Sequence, residues 1–227
     1  MMDNWLNNIV ITIAAFVYVF GIVAVMDIAV KKGFPSDLSR KVVHIAAGSW
    51  LIFWLLYDST HWTKFLNIAP ALLWTILLLI KGFTADENDQ AVKTMTRTGD
   101  RRELIRGPLY FTLVMNLCGT LFYGTTLSFI IMGFLTWGDG LAPVIGSRFG
   151  KHKYKILSQK SIEGSITFFV FGILGTVIFL FLFGQTVNWN FLFICAIIVT
   201  MIEACSPQDL DNILIPLTVV ILYHFFY

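Results

Sequence analysis

Runs of apolar residues recur along the entire chain, and they restrict the possible folds more than any other feature. The eight runs cover approximately residues 8–30, 42–57, 65–80, 108–123, 125–137, 162–184, 189–204 and 212–227. A straight membrane-spanning helix needs about 20 apolar residues, so such runs predict transmembrane helices. Only 13% of the residues are charged, which excludes an ordinary water-soluble domain. We therefore predict an all-α, polytopic helical bundle of about eight transmembrane segments, with residues 1–227 forming a single integral membrane domain.

The distribution of basic residues predicts which loops face the cytoplasm. If the amino terminus lies outside, every one of the 16 Lys and Arg residues except Lys64 falls in an inside loop. Such an asymmetry is typical of cytoplasmic loops. The two long inside loops are predicted at residues 81–107 and 138–161, whereas the outside loops hold few reactive side chains. We expect both termini on the non-cytoplasmic side and an active site on the cytoplasmic side.

Charge and cysteine content exclude several other classes of function. The net charge is only +2, and no basic stripe is interleaved with aromatic residues, so a nucleic-acid partner is excluded. The cysteines Cys118, Cys195 and Cys205 stand singly, without the paired spacing of a disulfide framework or a zinc site.

The segment richest in reactive residues begins at Gly138-Asp139-Gly140. Glycines on both sides of Asp139 let the backbone approach a ligand closely, and its carboxylate could hold a divalent cation such as the magnesium of a nucleotide. Basic residues that could meet several phosphates follow between Arg148 and Lys160. The alternative is a basic loop that only fixes the membrane orientation. Asp139, together with Glu163 further along the chain, favours the phosphate site.

Two further clusters lie at predicted cytoplasmic helix ends. Arg40, Lys41 and His44 share one face of the second helix, where they could contact phosphates and accept a hydroxyl proton. The alternative is two membrane anchors and a packed histidine. Near the carboxyl end, Glu203 and the segment 209–212 could complete a magnesium site or bind a base or ribose. The alternative there is a solvated turn.

Four motifs together resemble the membrane polyprenol kinases, a family that includes phytol kinase and dolichol kinase. They are RKVVH at 40–44, GDGLAPVIGSRFGKHK at 138–153, KSIEGS at 160–165 and DNILIP at 211–216. The resemblance implies transfer of the terminal phosphate of a nucleoside triphosphate, usually CTP, to an isoprenoid alcohol in the membrane, with Mg²⁺ as the metal. The implied partners are that lipid alcohol and the nucleotide, and homo-oligomerisation stays open.

The resemblance also assigns expected roles to individual residues. Asp139 and His44 are the catalytic candidates, and the choice of base between them stays open. The residues expected to bind nucleotide or phosphate are Arg40, Lys41, Gly138, Gly140, Gly146, Arg148, Gly150, Lys151, Lys160, Ser161, Gly164 and Asn212. The residues expected to bind metal are Asp139, Glu163, Glu203 and Asp211.

Two other functions compete with a kinase. A cytidylyltransferase similar to CDP-diacylglycerol synthase has a comparable glycine-rich loop, but its second basic segment near the carboxyl end is not found here. A small transporter would explain intramembrane charges such as Glu203. It would not explain the concentration of basic and glycine residues in one loop.

Overall fold

The computed structural model describes residues 4–86 and 88–227, and within them the fold is helical except for one short hairpin. The chain divides into two compact units, Met1–Tyr123 and Gly124–Tyr227. The helices of the first unit are α1 Asn4–Lys31, α2 Ser36–Gly48, α3 Ala69–Thr84, α4 Gln90–Met95 and α5 Gly107–Thr120. Those of the second are α6 Thr126–Met132, α7 Asp139–Arg148, α8 Ile162–Leu182, α9 Trp189–Cys205 and α10 Asp211–Phe226. Strands β1 Lys153–Lys155 and β2 Gln159–Ser161 pair in antiparallel fashion. The predicted all-α class is confirmed.

Four helical stretches among the described residues are long and apolar enough to cross a membrane. They are Asn4–Lys31, Trp62–Thr84, Thr126–Arg148 and Ile162–Leu182. Helices α9 and α10 are apolar but shorter. The chain is therefore a membrane protein, as predicted. The count of eight spans, the location of both termini and the single domain over 1–227 stay predictions.

The first unit is built around α1, which packs against α2, α3 and α4, while α3 packs against α5. Tight 3₁₀ turns at Ser49–Leu55 and Trp62–Ile68 extend α2 and α3. Between them the chain reverses direction and is held by the amide of Asn8, which is fully buried in α1. Asn8 therefore ties α1 to the connection between these two turns.

In the second unit, α8 packs closely against the stretch that leads into α7. Glycines remove the side chains that would separate the two helices: a Cβ on Gly133 would lie 2.2 Å from Thr176 Oγ1, and one on Gly172 would lie 2.2 Å from Phe134 Cδ1. Between α6 and α7 the helix widens into a π-helical turn at Gly133–Gly138. Such turns occur preferentially at functional sites. Here the turn immediately precedes Asp139.

The predicted loop over 138–161 is wrong in its first half, because α7 continues the membrane helix as far as Arg148. Gly138, Gly140 and Pro143 lie in this stretch, and glycine and proline have low helix propensity. Packing against α8 overrides this propensity, as tertiary contacts commonly do. Asp139 is therefore a buried residue at the start of α7.

Candidate functional site

The β1–β2 hairpin places Lys160 beside the end of α9 and the start of α10. Tyr154 pairs with Lys160 across the hairpin, and the Tyr154 hydroxyl lies 2.6 Å from Ser165 Oγ in the first turn of α8. Near the tip, Ser158 Oγ donates a hydrogen bond to the carbonyl of Ser206 at 2.8 Å. These contacts fix the hairpin at β1 and at the turn before β2, and the Lys160 side chain reaches Glu203 and Asp211.

Lys160 lies among three carboxylates of the second unit. Its Nζ forms an ion pair with Glu203 and lies 3.4 Å from Asp211 Oδ2. Asp139 is near enough for its charge to act on Lys160. Burial disfavours the charged ammonium, but the charges of Glu203, Asp211 and Asp139 outweigh this effect and raise the pKa of Lys160 above its ordinary value. The ammonium is therefore charged at neutral pH.

Two acceptor atoms in this cluster have no hydrogen-bond partner within the described part of the chain. They are Glu203 Oε2 and Asn212 Oδ1, and both are buried. The Asn212 amide nitrogen reaches only the carbonyl of Asp209 and the carboxylate of Asp211, at 3.4 and 3.3 Å. Burying an acceptor without a partner costs free energy, and native structures seldom do so without a reason. The two atoms are suited to a cation or to donor groups of a ligand.

The turn that joins α9 to α10 is under backbone strain beside these acceptors. Asp209 has a φ of 70°, which a residue with a side chain rarely adopts. Such strain clusters at binding and catalytic sites, where the surrounding structure maintains it. The turn brings Glu203 at the end of α9 near Asp211 at the start of α10, as their shared contact with Lys160 shows.

The carboxylates of the cluster do not form a complete metal site by themselves. Across residues 4–86 and 88–227, no group of three or more His, Cys, Asp or Glu side chains is placed to hold a metal alone. Mg²⁺ is usually bound by one or two carboxylates together with substrate phosphates, so a complete protein cage is not required. Asp139, Glu203 and Asp211 are buried, and Glu203 has an oxygen to offer.

Glu163, expected as a metal ligand, is engaged with the 151–152 segment. Its carboxylate accepts hydrogen bonds from the backbone amides of Lys151 and His152 and lies 2.8 Å from His152 Nδ1. It therefore holds the start of the hairpin against the first turn of α8. Its role with metal stays a prediction.

Several residues expected to bind phosphate have structural roles that account for their identity. Ser161 caps α8 by accepting a hydrogen bond from the Gly164 amide at 3.1 Å. A Cβ on Gly146 would lie 2.8 Å from Ser161 Oγ, and one on Gly150 only 2.3 Å from the Gly146 carbonyl. Gly138 faces Phe168, where a Cβ would lie 3.1 Å from the carbonyl. Close helix packing thus explains these glycines, and their contact with phosphate stays a prediction.

The remaining residues of the second unit's motifs differ in exposure. Gly140 is buried within α7, while Arg148 and Lys151 are exposed to solvent at the end of α7 and just beyond it. Both basic side chains are free to reach an anion from the surface.

The cluster at 40–44 lies on α2 in the first unit. Lys41 is buried, and the His44 ring stacks on Phe111 with centroids 3.9 Å apart. Arg40 is half-buried on the same helix. The structure confirms that residues 40–44 are helical, and the proposed roles of His44, Arg40 and Lys41 stay predictions.

Two features of the site were missed in the sequence. Ser158 fixes the hairpin to the α9–α10 turn, but an isolated serine in a basic segment carries no signal of such a contact. The π-helical turn before Asp139 was also missed, and its only trace is the density of glycines in 133–140.

Comparison with known proteins finds relatives that are named as phytol kinases or as a farnesol kinase. A probable chloroplastic phytol kinase of Oryza sativa subsp. japonica is 30% identical over 203 residues, covering 85% of this chain and 67% of that protein. The chloroplastic phytol kinase 1 of Arabidopsis thaliana is 25% identical over 232 residues, covering 96% of this chain and 76% of the relative. A chloroplastic farnesol kinase of Arabidopsis thaliana is 30% identical over 202 residues, covering 83% and 65%.

No family model and no solved structure matches the chain. The chain spans about two thirds to three quarters of the length of the three relatives described above. The similarity extends over most of this chain. The chain belongs to the polyprenol kinase family.

Proposed function

We propose that this protein is a membrane kinase that transfers the terminal phosphate of a nucleoside triphosphate to a prenyl alcohol. The donor we propose is CTP, and the acceptor is phytol, geranylgeraniol or another polyprenol. Family membership supports the reaction class, since the relatives are named as phytol and farnesol kinases. We further propose that the site faces the cytoplasm, because the basic residues concentrate on that side of the predicted topology.

The observation that carries the proposal is the buried cluster of Lys160, Glu203 and Asp211, with Asp139 near it. Buried charges are costly, and they are commonly retained where a reaction needs them. The cluster offers a cation for phosphate oxygens, together with carboxylates and two unsatisfied acceptors. A phosphoryl transfer requires mainly positioning and charge neutralisation, and this set of groups provides both.

The proposed step forms one bond and breaks one. The alcohol oxygen forms a bond with the terminal phosphorus, and the bond from that phosphorus to the bridging oxygen breaks, which releases the nucleoside diphosphate. The hydroxyl proton passes to a base, for which Asp139 and His44 are the candidates. Asp139 is the stronger candidate, because it belongs to the same unit as Lys160 and its charge acts on that side chain.

Charge is balanced by the side chains around the phosphates. Lys160 would neutralise the transferring group, and Arg148 and Lys151 would hold the outer phosphates from the surface. Asp139, Glu203 and Asp211 would provide the ligands for Mg²⁺, which when bound neutralises phosphate charge. The prenyl chain would remain in the bilayer, so that only its hydroxyl needs to reach the site.

A labelling experiment tests the proposal against its two rivals. Purified protein in detergent receives Mg²⁺, CTP labelled at either the α or the γ phosphate, and phytol, geranylgeraniol, diacylglycerol or phosphatidate. Transfer of γ label to a prenyl alcohol supports the kinase. Transfer of α label to phosphatidate with release of pyrophosphate would establish the cytidylyltransferase. Failure to label any acceptor would contradict an enzymatic role and favour the transporter.

The nucleotide is tested in the same assay by replacing CTP with UTP, ATP or GTP at equal concentration. We expect CTP to give the highest ratio of kcat to KM. A higher ratio for another triphosphate would overturn the choice of donor and leave the kinase reaction intact.

A further inference from the structure

The tip of the β1–β2 hairpin carries two exposed apolar side chains. Ile156 is 55% exposed and Leu157 is 65% exposed. Turns that face water are usually built from polar residues and glycine. The exposed strand residues beside the tip are Lys153, Lys155 and Gln159, so the apolar character is confined to the tip. An adjacent apolar pair on an otherwise polar hairpin marks a contact surface.

The hairpin is fixed in place, so the tip cannot turn inward to bury these side chains. Lys153 Nζ donates to the Gly146 carbonyl at 2.5 Å, and the Tyr154 hydroxyl contacts Ser165 Oγ. Ser158, directly after the tip, is bonded to Ser206. The exposure of Ile156 and Leu157 is therefore a stable property of the fold.

The depth of the hairpin tip relative to the membrane follows from the residues to which the chain and its hydrogen bonds connect it. Strand β2 ends at Ser161, and the membrane helix α8 begins at Ile162 without a linker. A three-residue strand is about 10 Å long. The headgroup layer on each side of the hydrocarbon core is roughly 5–8 Å thick. Because Ser158 is also bonded to the end of the apolar helix α9, the tip lies at the level of the helix ends and not far out in water.

Neighbouring side chains indicate which environment the tip meets. Helix α8 presents exposed apolar residues at every fourth position, beginning with Ile162, Ile166 and Val170, as expected of a face in contact with lipid. Lys155 lies directly before the tip and is exposed. Lysines beside an apolar anchor can extend their ammonium groups to lipid phosphates.

We propose that the hairpin tip, Ile156–Leu157, inserts into the boundary between the headgroups and acyl chains of the bilayer, with Lys155 at the phosphates. The bilayer then stabilises the strand that carries Lys160. This surface is distinct from the catalytic cluster and does not depend on which reaction the protein performs.

Site-specific fluorescence tests the insertion. Cys205 is the exposed native cysteine, whereas Cys118 and Cys195 are buried, so a Cys205→Ser background allows a single label. Leu157→Cys is labelled with an environment-sensitive fluorophore in nanodiscs of phosphatidylcholine and phosphatidylglycerol. Iodide is used as the quencher from water, and nitroxide-labelled lipid as the quencher from the membrane. Ile166→Cys is the lipid-facing control, and Lys155→Cys is the matched position next to the tip.

We expect the label at 157 to emit at shorter wavelength than the label at 155. We also expect it to be quenched by nitroxide lipid, as at 166, and protected from iodide. Quenching by iodide to the extent seen at 155 would overturn the proposal. Protection from both quenchers would show that protein covers the tip and would overturn it equally. If Leu157→Cys does not fold, Ile156→Cys provides the same measurement.

Discussion

The network around Asn8 in the first unit and the network around Lys160 in the second unit bury polar side chains in opposite ways. In the first unit the Asn8 amide donates to the carbonyl of Asp58 at 3.0 Å and to Thr63 Oγ1 at 2.9 Å, and its oxygen accepts from the Asp58 amide at 2.7 Å. Both N–H groups of the Asn8 side-chain amide therefore donate a hydrogen bond. In the second unit, by contrast, Lys160 and its carboxylates bury charge and leave Glu203 Oε2 and Asn212 Oδ1 without partners.

The difference separates a group that maintains the fold from groups prepared for a ligand. A buried neutral group whose hydrogen bonds are complete stabilises the connection it holds. A buried charged cluster with incomplete hydrogen bonding contributes little to stability and is better explained by function. Substitutions in the Lys160 network should therefore lower phosphate transfer, whereas substitutions in the Asn8 network should lower stability alone.

The largest effect is expected from removing the charge of Asp139. Asp139→Asn preserves the size of the side chain but cannot accept a proton or hold a cation well, so transfer should fall by about 10²- to 10⁴-fold. The measurement is kcat with CTP and a prenyl alcohol, together with the unfolding midpoint in detergent. The matched control is Asp100→Asn, an exposed residue that caps a turn in the first unit. A fully active Asp139→Asn variant would refute the role of this carboxylate.

A slightly smaller effect, on stability, is expected from Lys160→Met. Loss of the ammonium leaves Glu203 and Asp211 buried without their counter-charge, which typically costs roughly 3–5 kcal/mol. The measurement is the free energy of unfolding in detergent. Adding Glu203→Gln should recover part of this stability but not transfer activity, because the cation for phosphate is still missing. If Lys160→Met had the same stability and the same transfer activity as the unsubstituted protein, the contrast between the Asn8 and Lys160 networks would be contradicted.

A smaller effect, confined to stability, is expected in the first unit. Asn8→Ala removes three hydrogen bonds and leaves Thr63 and the Asp58 amide with fewer partners, at a cost of about 1–3 kcal/mol. The thermal midpoint should fall while kcat at a temperature below it stays unchanged. A large loss of kcat in a folded Asn8→Ala protein would show that the network contributes to catalysis.

The smallest effect is expected at the ion pair of Lys81 and Asp89, whose atoms are 2.7 Å apart. Partial burial opposes ionisation of Asp89, but Lys81 and the Ala91 amide outweigh it and hold the pKa of Asp89 below its ordinary value. The stabilisation is therefore present above the unfolded value, about pH 3.9, and is lost as pH falls through the folded value.

The pair is partly exposed, so its contribution should be below about 1 kcal/mol. Asp89→Asn retains the acceptor that caps α4 and removes only the charge. Comparing the unfolding midpoint of both proteins from pH 3 to pH 7 should show a difference that shrinks toward acid pH. A difference that grows toward acid pH would contradict the predicted direction of this pH dependence.

Sequence patterns predicted the helical class and the membrane location because apolar runs determine both. The resemblance to the polyprenol kinases further predicted that residues 138–165 share a pocket with the second helix and with the turn at 203–212. Lys160 contacts Glu203 and Asp211 in that turn, and the part that concerns the second helix stays a prediction. The approach of residues 43 or more positions apart follows from tertiary packing and could not be derived from local spacing.

The helix that runs through Gly138, Gly140 and Pro143 could not be predicted, because the helix propensity of these residues is low. The packing role of Gly146 and Gly150 was equally hidden. A glycine required for close helix contact and a glycine required for phosphate access look the same in a sequence. Only the position of Ser161 beside both glycines reveals the first role.

In the proposed site, Asp139, Lys160 and Glu203 surround the transferring phosphate. The most direct test of this arrangement is an experimentally determined structure of the protein with Mg²⁺ and a non-hydrolysable analogue of CTP. The account predicts that the triphosphate contacts Lys160 Nζ and that the metal lies on Asp139 or Glu203. A triphosphate bound elsewhere, with the Lys160–Glu203 pair intact and distant from it, would contradict the account.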